Sequence, residues 1–381
     1  MRFLVLGAGS MGRAVALDLC RCAKAGRVLI ADLDPRRARE AKAFTRSDKA
    51  TVVRLDVTDL DRVAEAMHGI DASVSCVPYG FNLGLAKAAI VAGCSLVDLG
   101  GNNEVVRKEL ALDKAARRAG VTIIPDCGLA PGLVSVLSAD ALGRFDRVDE
   151  LHLRVGGLPL HPRPPLGYMM VFSAGGLINE YVEPAVVIRG GKVRTVDSLD
   201  DVEDIEFPEP FGKMEAFNTS GGASTLPQTL LGKVQELDYK TVRYKGHCER
   251  VRLLMDLGLF DASPVSIGGT EVSPRAVMEA LLSERLSFGE DDVVLVRVEA
   301  IGSKGGRRRT LAYTIIDHGD RAAGLTAMMR TTAFPASIVA QMVASGEIAK
   351  EGAHPQETVV PTGSFLEQLA GRGIEVGTDW S

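Results

Sequence analysis

The sequence holds no apolar run approaching the ~18 residues that a bilayer-spanning helix needs, so a transmembrane helix is excluded. Nor does it carry a surplus of positive charge. Its 44 Lys and Arg stand against 49 Asp and Glu, a formal net charge of −5, which argues against nucleic acid as the main partner. The one basic cluster, Arg307-Arg308-Arg309 behind Gly305-Gly306, reads as the solvated tip of a hairpin. Six cysteines (Cys20, Cys22, Cys76, Cys94, Cys127, Cys248) show no C-x-x-C spacing and sit mostly in apolar segments. Reduced, buried thiols in a cytoplasmic protein account for them. The six histidines never fall into ligand spacing with those cysteines, so no metal site is expected. There is no internal repeat or low-complexity tract, and the apolar residues 3–6 read as a strand rather than a secretory leader.

What is present begins at the first residues. Arg2 to Leu6 form a short apolar run, and Gly7, Gly9 and Gly12 follow in G-x-G-x-x-G spacing before a helical stretch opening at Ala14. Gly7 turns the chain, Gly9 lets backbone approach a pyrophosphate, and Gly12 lets helix and strand pack closely. The free N–H groups at the helix start, around Ser10 and Met11, then face the diphosphate with the helix dipole favouring its charge. A second strand, Arg27 to Asp32, ends in an acid about 20 residues past the last glycine, where a carboxylate accepts both ribose hydroxyls. That carboxylate would repel a 2′-phosphate, so NAD is expected over NADP. Arg36 and Arg37, just behind, are the feature that speaks for a phosphate.

The first third alternates strand and helix. Strands are expected near 52–55, 72–76, 95–98 and 122–125, and helices at 59–67, 83–92 and 104–119. Alternation of near-continuous apolar strands means a doubly wound parallel sheet covered on both faces, an α/β Rossmann domain. Ligands collect at the carboxyl ends of such strands. Asp56 and Val57 are therefore placed near the adenine, and Cys76, Val77 and Pro78 near the ribose and nicotinamide. Asp98, Asn102 and Asp126 border the same crevice. From Val148 longer alternating strands take over, with hairpins at Gly190-Gly191 and Gly305-Gly306. An α+β second domain with a mixed or antiparallel sheet is expected, its open face covered by another subunit. The expected domains are 1–130, 131–325, and a helical segment 326–381 returning to the first.

The second domain offers three Gly-, Pro- and hydroxyl-rich stretches, at 156–159, 164–168 (ending in Tyr168) and 218–227 (containing Thr219 and Thr225). They can present backbone N–H groups to an anion, or equally be ordinary turns. Tyr239 to His247 places Arg243 and His247 at a strand-to-helix junction, where an arginine can clamp a carboxylate bidentately. His247 is a candidate proton carrier or donor to substrate, or simply a cap at the helix start.

In combination these motifs resemble the saccharopine dehydrogenase-like family: Gly7-x-Gly9-x-x-Gly12, Ser75 to Tyr79, Asp126-Cys127-Gly128-Leu129-Ala130-Pro131-Gly132, Gly156-Gly157-Leu158-Pro159, and Tyr239 to His247. The resemblance spans nearly the whole chain and is greatest to the family's NAD-dependent lysine 6-dehydrogenase branch. It implies a homodimer built through the second domain and a small amino-acid substrate, without membrane or nucleic-acid partners. Saccharopine reductases of the family carry an aspartate and a cysteine where this chain has Ala130 and Val155, a departure that argues against saccharopine. The joint expectation is lysine held by its α-carboxylate on Arg243 and the 219–225 loop, with Asn102 and Tyr168 nearby. Asp126, or else His247, would be the base. Saccharopine dehydrogenase, an imine-reducing enzyme of polyamine synthesis such as a carboxynorspermidine dehydrogenase, and a non-catalytic dinucleotide sensor are the alternatives.

Overall fold

Short apolar segments separated by amphipathic ones give residues 1–144 a strand–helix alternation. In order they are β1 (Arg2–Leu6), α1 (Ser10–Arg21), β2 (Arg27–Asp32), α2 (Pro35–Thr45), β3 (Ala50–Arg54), α3 (Leu60–Met67), β4 (Ala72–Ser75), α4 (Asn82–Ala92), β5 (Ser95–Asp98), α5 (Asn103–Leu110), α6 (Asp113–Ala119), β6 (Thr122–Ile124) and α7 (Leu133–Arg144). The computed structural model describes residues 1–381 and divides into two units. Unit 1 comprises residues 1–144, 224–226 and 329–376; unit 2 comprises 145–223, 227–328 and 377–381.

Side chains cap the helices of unit 1 where the sequence offers them. The Asp34, Asp59 and Asn102 side chains accept backbone N–H groups at the starts of α2, α3 and α5, satisfying donors the helix cannot. Residues Leu4, Leu6, Val63, Leu85, Ala89, Leu96 and Ile123 form part of one buried core.

After unit 1's first stretch the chain continues through β7 (Arg147–Pro159), α8 (Ala174–Val182), β8 (Ala185–Arg189), β9 (Lys192–Val196), β10 (Glu203–Phe207), β11 (Gly212–Asn218), α9 (Leu226–Thr229, whose first residue falls in unit 1), β12 (Glu236–Arg243), α10 (His247–Asp256), β13 (Val265–Ile267), β14 (Thr270–Val272), α11 (Pro274–Arg285), β15 (Asp292–Lys304) and β16 (Arg307–His318). The chain ends with α12 (Ala327–Ser345), β17 (Gly352–Ala353), α13 (Thr362–Ala370) and β18 (Gly377–Trp380).

The sheet of unit 1 is wholly parallel, with order β17-β6-β5-β4-β1-β2-β3. Strand order reverses between β1 and β4, so the ligand crevice of this unit lies at their carboxyl ends. The sheet of unit 2 has nine strands, mixed, running β10-β11-β12-β7-β15-β16-β18 with the β8–β9 hairpin joined to β12. The Rossmann-plus-mixed-sheet expectation therefore holds.

Several local expectations change. The single helix expected over 104–119 is two, α5 and α6. Asp113 at the start of α6 accepts the Ala353 N–H of β17 and the Arg117 side chain, tying the extra edge strand to the helix. The boundary expected at 130/131 falls at 144/145, because α7 buries Leu133, Val134, Val136, Leu137 and Ala141 with unit 1. Strand β18, in the segment expected to be helical, pairs with β16 in unit 2. Gly156 and Gly157 lie inside β7 rather than in a loop. A Cβ at Gly156 would stand 2.7 Å from the Val242 carbonyl oxygen, so the glycine serves close strand packing.

One buried cluster ties the C-terminal segment to the dinucleotide fold within unit 1. Asp18 of α1 accepts from Ser337 Oγ (2.6 Å) and Gln341 Nε2 (3.2 Å) of α12, and from Arg372 Nε (2.8 Å). Truncating one member of a buried charged network leaves its partners unpaired. Asp18→Ala is expected to cost about 3 kcal/mol and to lower the thermal unfolding midpoint by roughly 6–12 °C. An unchanged midpoint would show that the segment is held by packing alone.

Candidate functional sites

In unit 1 the glycine loop is shaped by what its residues lack. Gly7 has φ +95°, a left-handed backbone that β-carbon residues avoid. A Cβ on Gly12 would lie 1.8 Å from the Gly7 carbonyl oxygen, whereas a Cβ on Gly9 would meet nothing within 4 Å. The first pair thus closes strand onto helix, and Gly9 keeps open the space where a ligand backbone would approach. Helix α1 starts at Gly9 without any side-chain cap. Its first N–H groups, at Ser10 and Met11, are therefore left for an anion. Asp32 ends β2 beside this loop, its two carboxylate oxygens accepting N–H groups of Ala8 (2.7 Å) and Asp34 (2.8 Å). Arg36 is exposed and paired with Asp34, not with Asp32. These residues fit a dinucleotide. At neighbouring strand ends, Asp56 accepts the Thr58 N–H and hydroxyl. Cys76 donates its backbone N–H to Leu6 and leads into Val77 and Pro78; burial pushes its thiol up, so it stays protonated.

The ends of β5 and β6 carry a group of buried carboxyls. Asp98 Oδ1 accepts the N–H groups of Gly100 (2.6 Å) and Asp126 (3.3 Å). Its Oδ2, and both oxygens of fully buried Glu109, meet no N–H or hydroxyl donor, and the two carboxyls are close enough to hydrogen-bond to one another. Burial first, and then mutual repulsion, raises Glu109, and burial raises Asp98, so protons are shared between them. Asp126 sits at φ +66° behind β6. Its Oδ1 occupies the space a Gly100 side chain would fill, its Oδ2 accepts the Ser224 hydroxyl, and its backbone carbonyl accepts Gln356 Nε2. Burial and the nearby Asp98 hold its carboxyl well above the usual carboxylate range. That favours its protonated form, which speaks against the expectation of Asp126 as the resting base. Glu109 was missed because it reads as one more polar residue on a helix, after Arg107 and Lys108. Asn102 is also differently employed: its side-chain oxygen caps α5 by accepting from Glu104 and Val105.

Unit 2 centres on Arg243, 3% exposed at the end of β12. Its guanidinium lies 4.7 Å over the Tyr168 ring centroid. A chain of hydrogen bonds fixes it. The Leu166 carbonyl can only accept, so His247 Nδ1 carries the proton it shares with that oxygen (2.9 Å). His247 Nε2 is then the acceptor for the Tyr181 hydroxyl (2.9 Å), and the Tyr181 oxygen accepts Arg243 Nε–H (3.3 Å). Nη1 donates to the Val242 carbonyl (3.0 Å). Glu215 anchors the turn that sets His247, accepting the N–H groups of Gly246 (2.8 Å) and Cys248 (2.7 Å). Burial, reinforced by Arg243, pushes His247 down to about 3. Neutral and with both ring nitrogens engaged, it positions Arg243 and is no proton carrier, a second correction. Tyr168 is fully buried and its hydroxyl has no partner.

The loop expected to hold a substrate carboxylate is divided. Thr219 belongs to unit 2, where its hydroxyl bonds that of Thr241 (2.6 Å). Thr225 belongs to unit 1 and donates to Glu357 (2.8 Å). Both hydroxyls are engaged within the protein.

Comparison with known proteins agrees with both halves. A model of the saccharopine dehydrogenase NADP binding domain matches residues 3–124, and one of the saccharopine dehydrogenase C-terminal domain matches residues 128–374. The chain is 23% identical to the mitochondrial alpha-aminoadipic semialdehyde synthase of Mus musculus, over 99% of this chain and 47% of that protein. It spans less than half the length of the mammalian synthases it matches. With saccharopine dehydrogenase [NADP(+), L-glutamate-forming] of Schizosaccharomyces pombe it shares 22% identity, over 88% of this chain and 90% of that one. With the carboxynorspermidine synthase of Vibrio cholerae it also shares 22%, over 86% and 82% respectively. Among solved structures, saccharopine dehydrogenase (L-Glu forming) from Saccharomyces cerevisiae superposes with a TM-score of 0.81 at 20% identity, covering 100% of this chain and 99% of that one. The glycine cradle of unit 1 and the buried arginine of unit 2 thus lie within two domain models of one name that together span almost the whole sequence. The chain belongs to the saccharopine dehydrogenase family.

Proposed function

We propose that the protein oxidatively deaminates the ε-amine of L-lysine, using NAD. The products are ammonia and the 6-semialdehyde, which closes on its own α-amine to a cyclic imine. The observation that supports an amino-acid substrate is Arg243, a buried guanidinium of which Nε and one Nη1 hydrogen are engaged by protein groups. Its remaining N–H groups suit a carboxylate through two parallel bonds. Ala130 and Val155 stand where saccharopine reductases of the family carry an acid and a thiol, which favours lysine over saccharopine. A homodimer fits the alternation along β16, where Thr310, Ala312, Thr314 and Ile316 are half-buried while Leu311, Tyr313 and Ile315 are fully buried. That open sheet face would be the one a second copy covers.

The amides at the start of α1 would hold the diphosphate, and Asp32 the ribose hydroxyls. When bound, the dinucleotide supplies the hydride acceptor. The chain's own part is to place lysine by its α-carboxylate on Arg243, which His247 and Tyr181 keep in one orientation. The ε-amine must be neutral, since an ammonium has no lone pair to support the developing iminium. Loss of hydride from the ε-carbon then gives the iminium ion, to which water adds, and the aldehyde forms as ammonia and a proton leave. Burial favours the protonated form of Asp126 and both nitrogens of His247 are engaged, so the ammonium gives its proton to solvent. Activity is therefore expected to rise with pH towards the amine's own pKa of about 10.

The deciding experiment offers purified protein a panel of amino acids and amines with NAD or NADP and follows absorbance and ammonia. L-Lysine with NAD should turn over, with kcat/KM climbing from pH 7 to about 10. Turnover with saccharopine instead, or an activity limb near pH 6, would refute the substrate or the proton route respectively. Asp32→Ala should raise KM for NAD by about tenfold or more and narrow the preference over NADP; an unchanged preference would relocate the ribose contact. Arg243→Lys should raise KM for lysine by roughly 10- to 100-fold with kcat little changed, whereas a loss confined to kcat would remove Arg243 from carboxylate binding.

A further inference from the structure

Beside the buried arginine stands a carboxylate that the mechanism above leaves unused. Glu180 precedes Tyr181 on α8, and its Oε2 is 3.8 Å from Arg243 Nη2. That is ion-pair distance but too long for a hydrogen bond. The two differ in depth: the Arg243 side chain is 3% exposed and that of Glu180 31%. One further carboxylate, Glu215, stands opposite Arg243 in the β11–β12 register, and both its oxygens are occupied by the Gly246 and Cys248 N–H groups. Tyr168 lies under the guanidinium, Tyr181 donates to His247, and His247 is neutral. The pair left open to a ligand is thus one cation and one anion a few ångströms apart, with the cation deep and the anion nearer solvent.

We propose that Glu180 and Arg243 together form a receptor for the head group of an α-amino acid, the carboxylate going to Arg243 and the α-ammonium to Glu180. The charges of such a head group are fixed one carbon apart, and their opposite signs match this pair. Glu180 and Arg243 offset each other's charge, as do the two ends of the head group, which limits the cost of taking them out of water. Glu180 also sets specificity by repulsion. A carboxylate without a neighbouring ammonium would meet Arg243 and Glu180 together, and the glutamate would oppose it. The surrounding protein pushes the Glu180 carboxyl up to about 7 against the pull of Arg243, so at pH 8 it is mostly ionised.

This inference rests on the reading of Arg243 as a carboxylate site, and it is tested by binding, apart from turnover. Calorimetric titration of the full chain at pH 8 would use L-lysine, L-norleucine (the same head group without an ε-amine) and 6-aminohexanoate (the ε-amine and carboxylate without an α-amine). Glu180→Gln should weaken L-lysine and L-norleucine by about 10- to 100-fold and leave 6-aminohexanoate unchanged or tighter. Retained 6-aminohexanoate binding also certifies that the variant is folded. Weakening of all three ligands alike would make Glu180 only a counter-ion that holds Arg243 in place, and unchanged L-norleucine binding would remove it from the site; either overturns the proposal. Should lysine prove not to be oxidised, the comparison of L-norleucine with 6-aminohexanoate still decides the head-group receptor.

Discussion

A guanidinium taken out of water must be surrounded by acceptors, and unit 2 is built locally around that demand at Arg243. An unpaired buried charge costs several kcal/mol, so the chain provides the Tyr181 oxygen, the Val242 carbonyl, an aromatic face and a distant carboxylate. Each of these has its own support. Tyr181 is oriented by His247, His247 by the Leu166 carbonyl, and the turn carrying His247 by Glu215. A residue that looked catalytic by type is thereby explained by position: a histidine with both nitrogens committed holds a neighbour's hydroxyl in one rotation. The same order makes the arginine a pre-organised ligand, because little side-chain freedom remains to be lost when an anion arrives.

Unit 1 solves the converse problem, how to leave backbone donors free at a crowded junction. Contact between Gly12 and the Gly7 carbonyl draws helix onto strand so closely that no side chain can intervene. The uncapped first turn of α1 then keeps its N–H groups for an outside acceptor. A few residues along the same sheet edge, Asp98, Glu109 and Asp126 are packed so tightly that they cannot all ionise. Their crowding is tolerable because protons are retained. A carboxyl that keeps its proton, as Glu109 does, donates as well as accepts hydrogen bonds, so this edge carries less charge than its three acids would suggest.

The dinucleotide cradle was legible from sequence because its demands are local. Gly7, Gly9, Gly12 and Asp32 lie within one strand–helix–strand passage, and period and glycine spacing report on neighbours along the chain. The parallel sheet was legible for a similar reason, as near-continuous apolar strands have few other homes. What escaped depends on contacts distant in sequence. Nothing in the sequence around Gly352 announces an edge strand, which exists because β6 offers it a ladder. Glu109 acquires its character only from Asp98, and Asn102 and Thr225 spend their polar atoms on an α5 cap and on Glu357. Residue type showed that Asp126 and His247 were unusual, but burial decided their protonation states, and burial is a property of the fold.

The positions where this chain departs from the saccharopine reductases acquire physical content in unit 2. Val155 is paired with Thr241 across β7 and β12, and Thr241 is two residues before Arg243, so all three share one face of the sheet. A cysteine there would set an ionisable thiol on the face that carries the arginine; valine sets an apolar branch beside the guanidinium, whose neighbouring acids are Glu180 and the backbone-bound Glu215. A substrate bearing several carboxylates needs several cations, and this face supplies one beside a negative group. That electrostatic sum suits a ligand with a single zwitterionic head, the ligand proposed for the Glu180 and Arg243 receptor.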